Sequence, residues 1–224
     1  MGSIQAIRHE EVLRYLGYRG QEISDDFMGE VLACESEMLA YAKPKSVFAI
    51  FDRIDTPEGI ALSGTTLILP GDDINNHLAG CTKVALLAAT LSSDADRLIA
   101  SAQVESMTKS LILDASADAL IEQVCDEAET ELRAKIQNMQ ATWRLSPGYG
   151  DFPIVLQNEI LIVLNAQKRI GLCATDSHLL TPRKSVTAVI GLSETELPKK
   201  QKGCATCSMR ETCTYRKRGE RCVW

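Results

Sequence analysis

Apolar residues recur along this chain in three rhythms, and each predicts a different kind of element. Between residues 7 and 43, Val12, Leu16, Ile23, Met28, Val31, Leu32, Met38 and Leu39 follow at three- and four-residue steps, interrupted at Gly17 and Gly20, which predicts two helices. The run Ser46-Val47-Phe48-Ala49-Ile50-Phe51 is β-branched and aromatic and too short for a typical helix, so it predicts a strand. Further strands are expected over 59–69. Pro70-Gly71-Asp72-Asp73 is turn chemistry leading into a helix start, and residues 79–90 form an almost unbroken apolar run suited to a strand buried on both faces.

From 93 to 139 the chain has no Pro or Gly and is dense in Ala, Leu, Glu and Lys, which predicts two helices, the second very long. Along it Leu120, Val124, Ala128, Leu132 and Ile136 recur every four residues as a core stripe, and Glu122 and Asp126 fall on another face. The segment 144–153 holds two prolines and two glycines and reads as a loop of fixed shape. Pro153 is expected in the first turn of a helix lined by Ile154, Leu156, Ile160, Leu161 and Leu164, and Ser185 to Leu192 reads as a strand. These elements make an α+β domain in which helices pack on a mostly antiparallel sheet. The division expected is 1–74 as N-terminal helices and strands of the domain, 75–197 as its core, and 198–224 as a small Cys-rich appendage.

Composition narrows the function classes. A chain of 224 residues with 45% hydrophobic residues can bury one good core but not several domains. Thirty acidic against 24 basic residues, a net charge of -6, does not suggest general nucleic-acid binding. No stretch approaches the roughly 18–20 consecutive apolar residues that span a bilayer, and the first residues lack a secretory apolar core. The expectation is a cytoplasmic protein without membrane or nucleic-acid partners, its eight cysteines mostly reduced.

The segment Arg144-Leu145-Ser146-Pro147-Gly148-Tyr149-Gly150-Asp151-Phe152-Pro153 carries the most chemistry. It joins a cation, a tight backbone and an aromatic face. Arg144 can clamp a carboxylate, Gly148 and Gly150 let backbone approach a ligand, and Tyr149 can stack on a base or meet a sulfonium. The same residues also describe an ordinary Pro-Gly turn with a packed tyrosine. His9, His77 and His178 have no metal-ligand spacing and read as structural or solvated. Cys34, Cys81, Cys125 and Cys173 lie in apolar surroundings and read as core.

The loop resembles the Arg-x-x-Pro-Gly-Tyr signature of the activation domain of cobalamin-dependent methionine synthase, in a stand-alone form. Two flanking segments are similar to that family in consistent order. Ala117-Asp118-Ala119-Leu120-Ile121-Glu122 resembles its Ala-Asp-x-Leu-Ala-Glu helix. Ile170-Gly171-Leu172-Cys173-Ala174-Thr175-Asp176-Ser177, Thr181-Pro182 and Ser185-Val186-Thr187-Ala188 resemble its Ile-Gly-x-x-Leu-Thr-Glu-Ser, Pro and Ser-Val-Ser segment. The resemblance covers roughly 75–192. It implies an S-adenosylmethionine site formed by Glu122, Arg144, Ser146, Gly148 and Tyr149, with no catalytic side chain. It implies that the protein supports reductive methylation of cobalamin held by a partner, a methionine synthase or related corrinoid protein lacking its own activation domain, with a flavodoxin- or ferredoxin-like electron donor. Two departures stand out. The family's Tyr-Pro-Ala-Cys-Pro is here Tyr149-Gly150-Asp151-Phe152-Pro153, and the tyrosine-bearing segment after its last core strand has no counterpart past Leu192. An aspartate that the family supplies early in its domain has no match in residues 1–74.

Beyond Leu197 the chain turns basic and cysteine-rich. Cys204, Cys207, Cys213 and Cys222 follow a C-x2-C-x5-C-x8-C spacing among Lys and Arg, which favours thiolates. Four such cysteines suit zinc or an iron-sulfur cluster, or are reduced thiols on a tail; the resemblance favours iron-sulfur, because reactivation needs an electron. Two other functions fit the residues: a redox or metal-binding adaptor, and a module that senses S-adenosylmethionine or delivers cobalamin without methyl transfer.

Overall fold

The computed structural model describes residues 4–136, 138–197, 208–212 and 217. Cys204, Cys207, Cys213 and Cys222 lie outside them. The two N-terminal helices are α1 (His9–Tyr15) and α2 (Asp25–Tyr41), the latter capped by the Ser24 hydroxyl accepting from the Phe27 amide. The aromatic and β-branched run lies in a twelve-residue strand, β1 (Lys45–Thr56), followed by β2 (Gly59–Leu62) and β3 (Ile68–Leu69). After α3 (Asp72–His77) comes β4 (Lys83–Thr90). The expected strand over 79–90 therefore begins four residues later, because the α3 end and a turn at Gly80 occupy its start.

Helices α4 (Ser93–Glu105) and α5 (Met107–Lys135) fill the stretch free of Pro and Gly, and the hydroxyl of Ser106, between them, caps α5. The α5 stripe Leu120, Val124, Ala128 and Leu132 is buried throughout. Beyond it lie β5 (Gln140–Ala141), α6 (Leu156–Val163), α7 (Ala166–Ile170), the hairpin β6 (Cys173–Ala174) and β7 (Leu180–Thr181), and β8 (Ser185–Ser193). Pro153 precedes α6 by three residues instead of opening it, since Val155 is the N-cap.

The strands form one antiparallel sheet in the order β3-β2-β1-β4-β8-β5, with β6-β7 as a separate hairpin. Residues before and after position 75 share it, since β1 lies between β2 and β4. Strand alternation divides the core in two. Leu87 and Ala89 of β4 join α1, α2, α4 and α5 in one cluster; Val84, Leu86 and Ala88 join α3, α6 and α7 in the other. The sheet is thus a middle layer between two groups of helices, as the unbroken apolar run of β4 requires. Among the described residues no helix is long and apolar enough to cross a membrane.

Candidate functional site

The segment after β5 runs along β8, and this fixes where its side chains go. Leu145 exchanges both backbone hydrogen bonds with Val189, at 3.0 and 2.8 Å, and Thr142 bonds Gly191 through its amide and its hydroxyl. Gly191 leaves room for this: a Cβ there would meet Cys81 Sγ at 2.5 Å and Thr142 Cγ2 at 3.2 Å. Leu145 enters the α6 side of the core, so its extended neighbour Arg144 projects to the opposite face, toward α5.

There Arg144 meets three carboxylates. Its guanidinium donates to Glu122 Oε2 at 2.8 Å, Asp126 Oδ1 at 3.1 Å and Glu129 Oε1 at 2.7 Å. Those acids lie at i, i+4 and i+7 on one stripe of α5, a spacing that sets like charges side by side and is unfavourable without a cation between them. Arg144 supplies it. Burial alone would lower the guanidinium pKa, but the neighbouring Cys125 sulfur, the carboxylates of Glu129 and Glu122 and the hydrogen bond to Asp126 outweigh it, so the pKa is raised. Asp126 is also held by Arg8 at 2.6 Å, and Glu129 by Arg133 at 3.5 Å. Cys125, one position from that stripe, is fully buried, and burial pushes its thiol up to about 12.

Helix α1 forms the facing wall. The backbone amide of Arg8 donates to Gln123 Oε1 at 2.8 Å, and Gln123 Nε2 donates to the Ala6 carbonyl at 3.0 Å, so the buried Gln123 pins the start of α1 to α5. His9 and the buried Glu35 join α1 to α2 through a 2.7 Å contact. The result is a cleft of about 640 Å³, within the range of about 300–1,000 Å³ typical of small-ligand sites. Its floor is Arg144 and the α5 acids, one wall carries Arg8, Glu11, Arg14 and Tyr15, and Trp143, Ser146 and Val186 close another side.

The structure thus brings Glu122, Arg144 and Ser146 together. Gly148 and Tyr149 do not line this cleft; Tyr149 packs against the core on the other face of the sheet. They shape the loop. The Gly148 amide donates to the Phe152 carbonyl at 2.7 Å, Gly148 has φ +92°, and a Cβ on it would meet Ile154 Cδ1 at 2.9 Å. Phe152 is almost wholly buried. The departure at Gly150-Asp151 has its own structural use: the Asp151 carboxylate accepts from the Asp72 and Asp73 amides at 2.7 and 2.9 Å, and the Asp151 amide returns a bond to Asp73. The loop is therefore clasped to the start of α3.

Sequence reading missed Asp126 and Glu129 as site residues and the whole contribution of α1. The signal for the first two was present, as acids at i, i+4 and i+7 opposite a core stripe. For α1 it was faint: Arg8, Glu11 and Tyr15 share a helix face, but nothing local says what that face meets. Cys34, Cys81 and Cys125 are buried as expected, whereas Cys173 is half-exposed in the β6 edge strand. His77 is buried and hydrogen-bonds Thr142, and no group of His, Cys, Asp and Glu among the described residues could hold a metal ion.

No protein-family model matches the chain, and no curated protein does. Among solved structures, the chain is similar to a crystal structure of the MetH reactivation domain bound to AdoHcy. The TM-score is 0.65 at 15% identity, over 96% of this chain and 82% of that one. The chain has the fold of that reactivation domain.

Proposed function

We propose that the protein binds S-adenosylmethionine in the Arg144 cleft and supports reductive methylation of the cobalamin of a partner methionine synthase or other corrinoid protein. The observation that carries this is the mixed-charge cleft itself. A ligand with a carboxylate at one point and ammonium and sulfonium charges nearby needs a guanidinium beside carboxylates, with aromatic surface within reach. Arg144, the α5 acids and the rings of Tyr15 and Trp143 meet that demand in one cleft. The fold shared with the MetH reactivation domain supports the same reading.

In this reading Arg144 takes the ligand carboxylate, exchanging it for one of its present acidic partners, and the released Glu122 or Asp126 turns to the cationic part. Ser146 bounds the cleft beside Arg144, while Gly148 and Tyr149 hold the loop from behind. Bound there, S-adenosylmethionine would supply an electrophilic methyl group to the reduced cobalt of the partner's cobalamin. The chain's own work is positioning, holding the sulfonium where a second protein can reach it, so that alignment is met before reaction. The cysteines Cys204, Cys207, Cys213 and Cys222 enter this reading as an iron-sulfur or zinc site, on the strength of their number and their basic neighbours, although their spacing matches neither standard run closely.

The test is methyl transfer in a reconstituted mixture of this protein, methyl-labelled S-adenosylmethionine, a chemical reductant and a corrinoid-loaded methionine synthase fragment lacking its own reactivation domain. Label should appear on the cobalamin only when this protein is present, and Arg144→Met should cut the rate at least tenfold, about 1.4 kcal/mol. No transfer with the intact protein would sink the methylation reading.

A further inference from the structure

Beside its charged groups the cleft presents an aromatic ring from α1. Tyr15, the last residue of α1, lines the cleft and is 39% exposed. The guanidinium carbon of Arg14 lies 4.3 Å from its ring centre, so a cation lies against the ring, and both residues line the cleft. The α5 residues that line the cleft run from Glu122 to Arg133, a span of about 16 Å at 1.5 Å per residue. Burial raises the phenol pKa of Tyr15, a hydrogen bond with Arg14 opposes this, and the Glu122 charge adds to the rise. The other ring in the cleft, Trp143, is already engaged edge-on with His77 at 4.8 Å.

We infer that Tyr15, with Arg14 against its ring, is the platform on which the cleft stacks the purine base of an adenosyl ligand. The inference rests on the binding reading above and adds to it the residue that recognises the nucleoside half. A planar heterocycle gains most from an aromatic face, and a guanidinium beside that ring adds a second flat, cationic surface to the stack. Arg144 and the α5 acids then serve the amino-acid half of the same ligand. Tyr15 is a binding residue of α1, so the contact would tie the N-terminal helix to ligand occupancy.

The experiment is calorimetric titration of the wild-type protein, Tyr15→Phe, Tyr15→Leu and Arg144→Met with S-adenosylmethionine, together with proton NMR of the bound ligand. Tyr15→Phe should bind within about twofold of wild type, and Tyr15→Leu about tenfold more weakly, or about 1.4 kcal/mol. In wild type and Tyr15→Phe the adenine H2 and H8 resonances should move upfield on binding, and in Tyr15→Leu that shift should shrink while the ribose signals change little. Tyr15→Leu binding as tightly as wild type, or no upfield shift in the wild-type protein, would overturn the inference while leaving the cleft reading intact. Binding undiminished in Arg144→Met, or none by the wild type, would overturn the cleft reading and this inference with it.

Discussion

Replacing Arg144 by Met removes a charge from the centre of a network while keeping most of the aliphatic volume, and the structure fixes what is left behind. Glu129, only 18% exposed, would retain Arg133 alone, at 3.5 Å. Asp126 would keep Arg8 at 2.6 Å, and Glu122, 42% exposed, could turn to water. Removing one partner of a fully buried pair costs about 3–5 kcal/mol, and of an exposed pair about 0–1 kcal/mol. With one acid shielded and two half-exposed, the expected loss is about 2 kcal/mol, mostly from Glu129. For a chain of this size that is a fall of about 4–8 °C in melting temperature. Calorimetry or circular dichroism would measure it, and adding Glu129→Gln to Arg144→Met should restore part of the loss through a coupling of about 1 kcal/mol. A melting temperature unchanged within about 1 °C would refute the reasoning and mean that the three ion pairs contribute nothing net to stability.

Cys125 links stability to alkaline pH. Its thiol ionises from about pH 9 when unfolded but only near 12 in the folded core. Its contribution is therefore complete below pH 9 and is lost as pH rises toward 12, at up to about 1.4 kcal/mol per pH unit. In urea denaturation over that range Cys125→Ala should lose stability less steeply than wild type, and parallel slopes would contradict the account. Asp151→Ala removes both bonds to the start of α3 and should cost about 1 kcal/mol, with faster proteolysis in the loop at 144–153; unchanged cleavage would speak against the clasp. Gly148→Ala combines positive φ with a Cβ against Ile154 and should cost about 1–2 kcal/mol, whereas a gain in stability would show that the loop relaxes freely. His9→Ala strips the buried Glu35 of its imidazole partner and should lower stability by about 1–2 kcal/mol, seen as a shifted urea midpoint; an unmoved midpoint would remove the α1 to α2 pin from the account.

Legibility in the sequence followed the range of the interactions involved. Long elements with a strong period were readable: α5 through its four-residue stripe, and β4 through an apolar run that only burial on both faces explains. Two-residue strands such as β5 and β6 were not, because two residues carry no period and β5 exists only by pairing with β8. Of the site, Arg144 and Glu122 were readable by resemblance, and the structure joins them at 2.8 Å. That Arg144 and Tyr149 leave the backbone on opposite sides of the sheet edge was not legible, since it follows from the pairing of Leu145 with Val189, 44 residues apart in sequence. The α1 wall was hidden for the same reason: Gln123 holds Arg8 across a separation of 115 residues.

The central claim is that the Arg144 cleft binds S-adenosylmethionine, and calorimetric titration of the intact chain tests it most directly. The account predicts saturable one-to-one binding, weakened at least tenfold, about 1.4 kcal/mol, by Arg144→Met in a variant shown to be folded. Heats indistinguishable from dilution with the intact protein, or equal affinity for the folded variant, would contradict it.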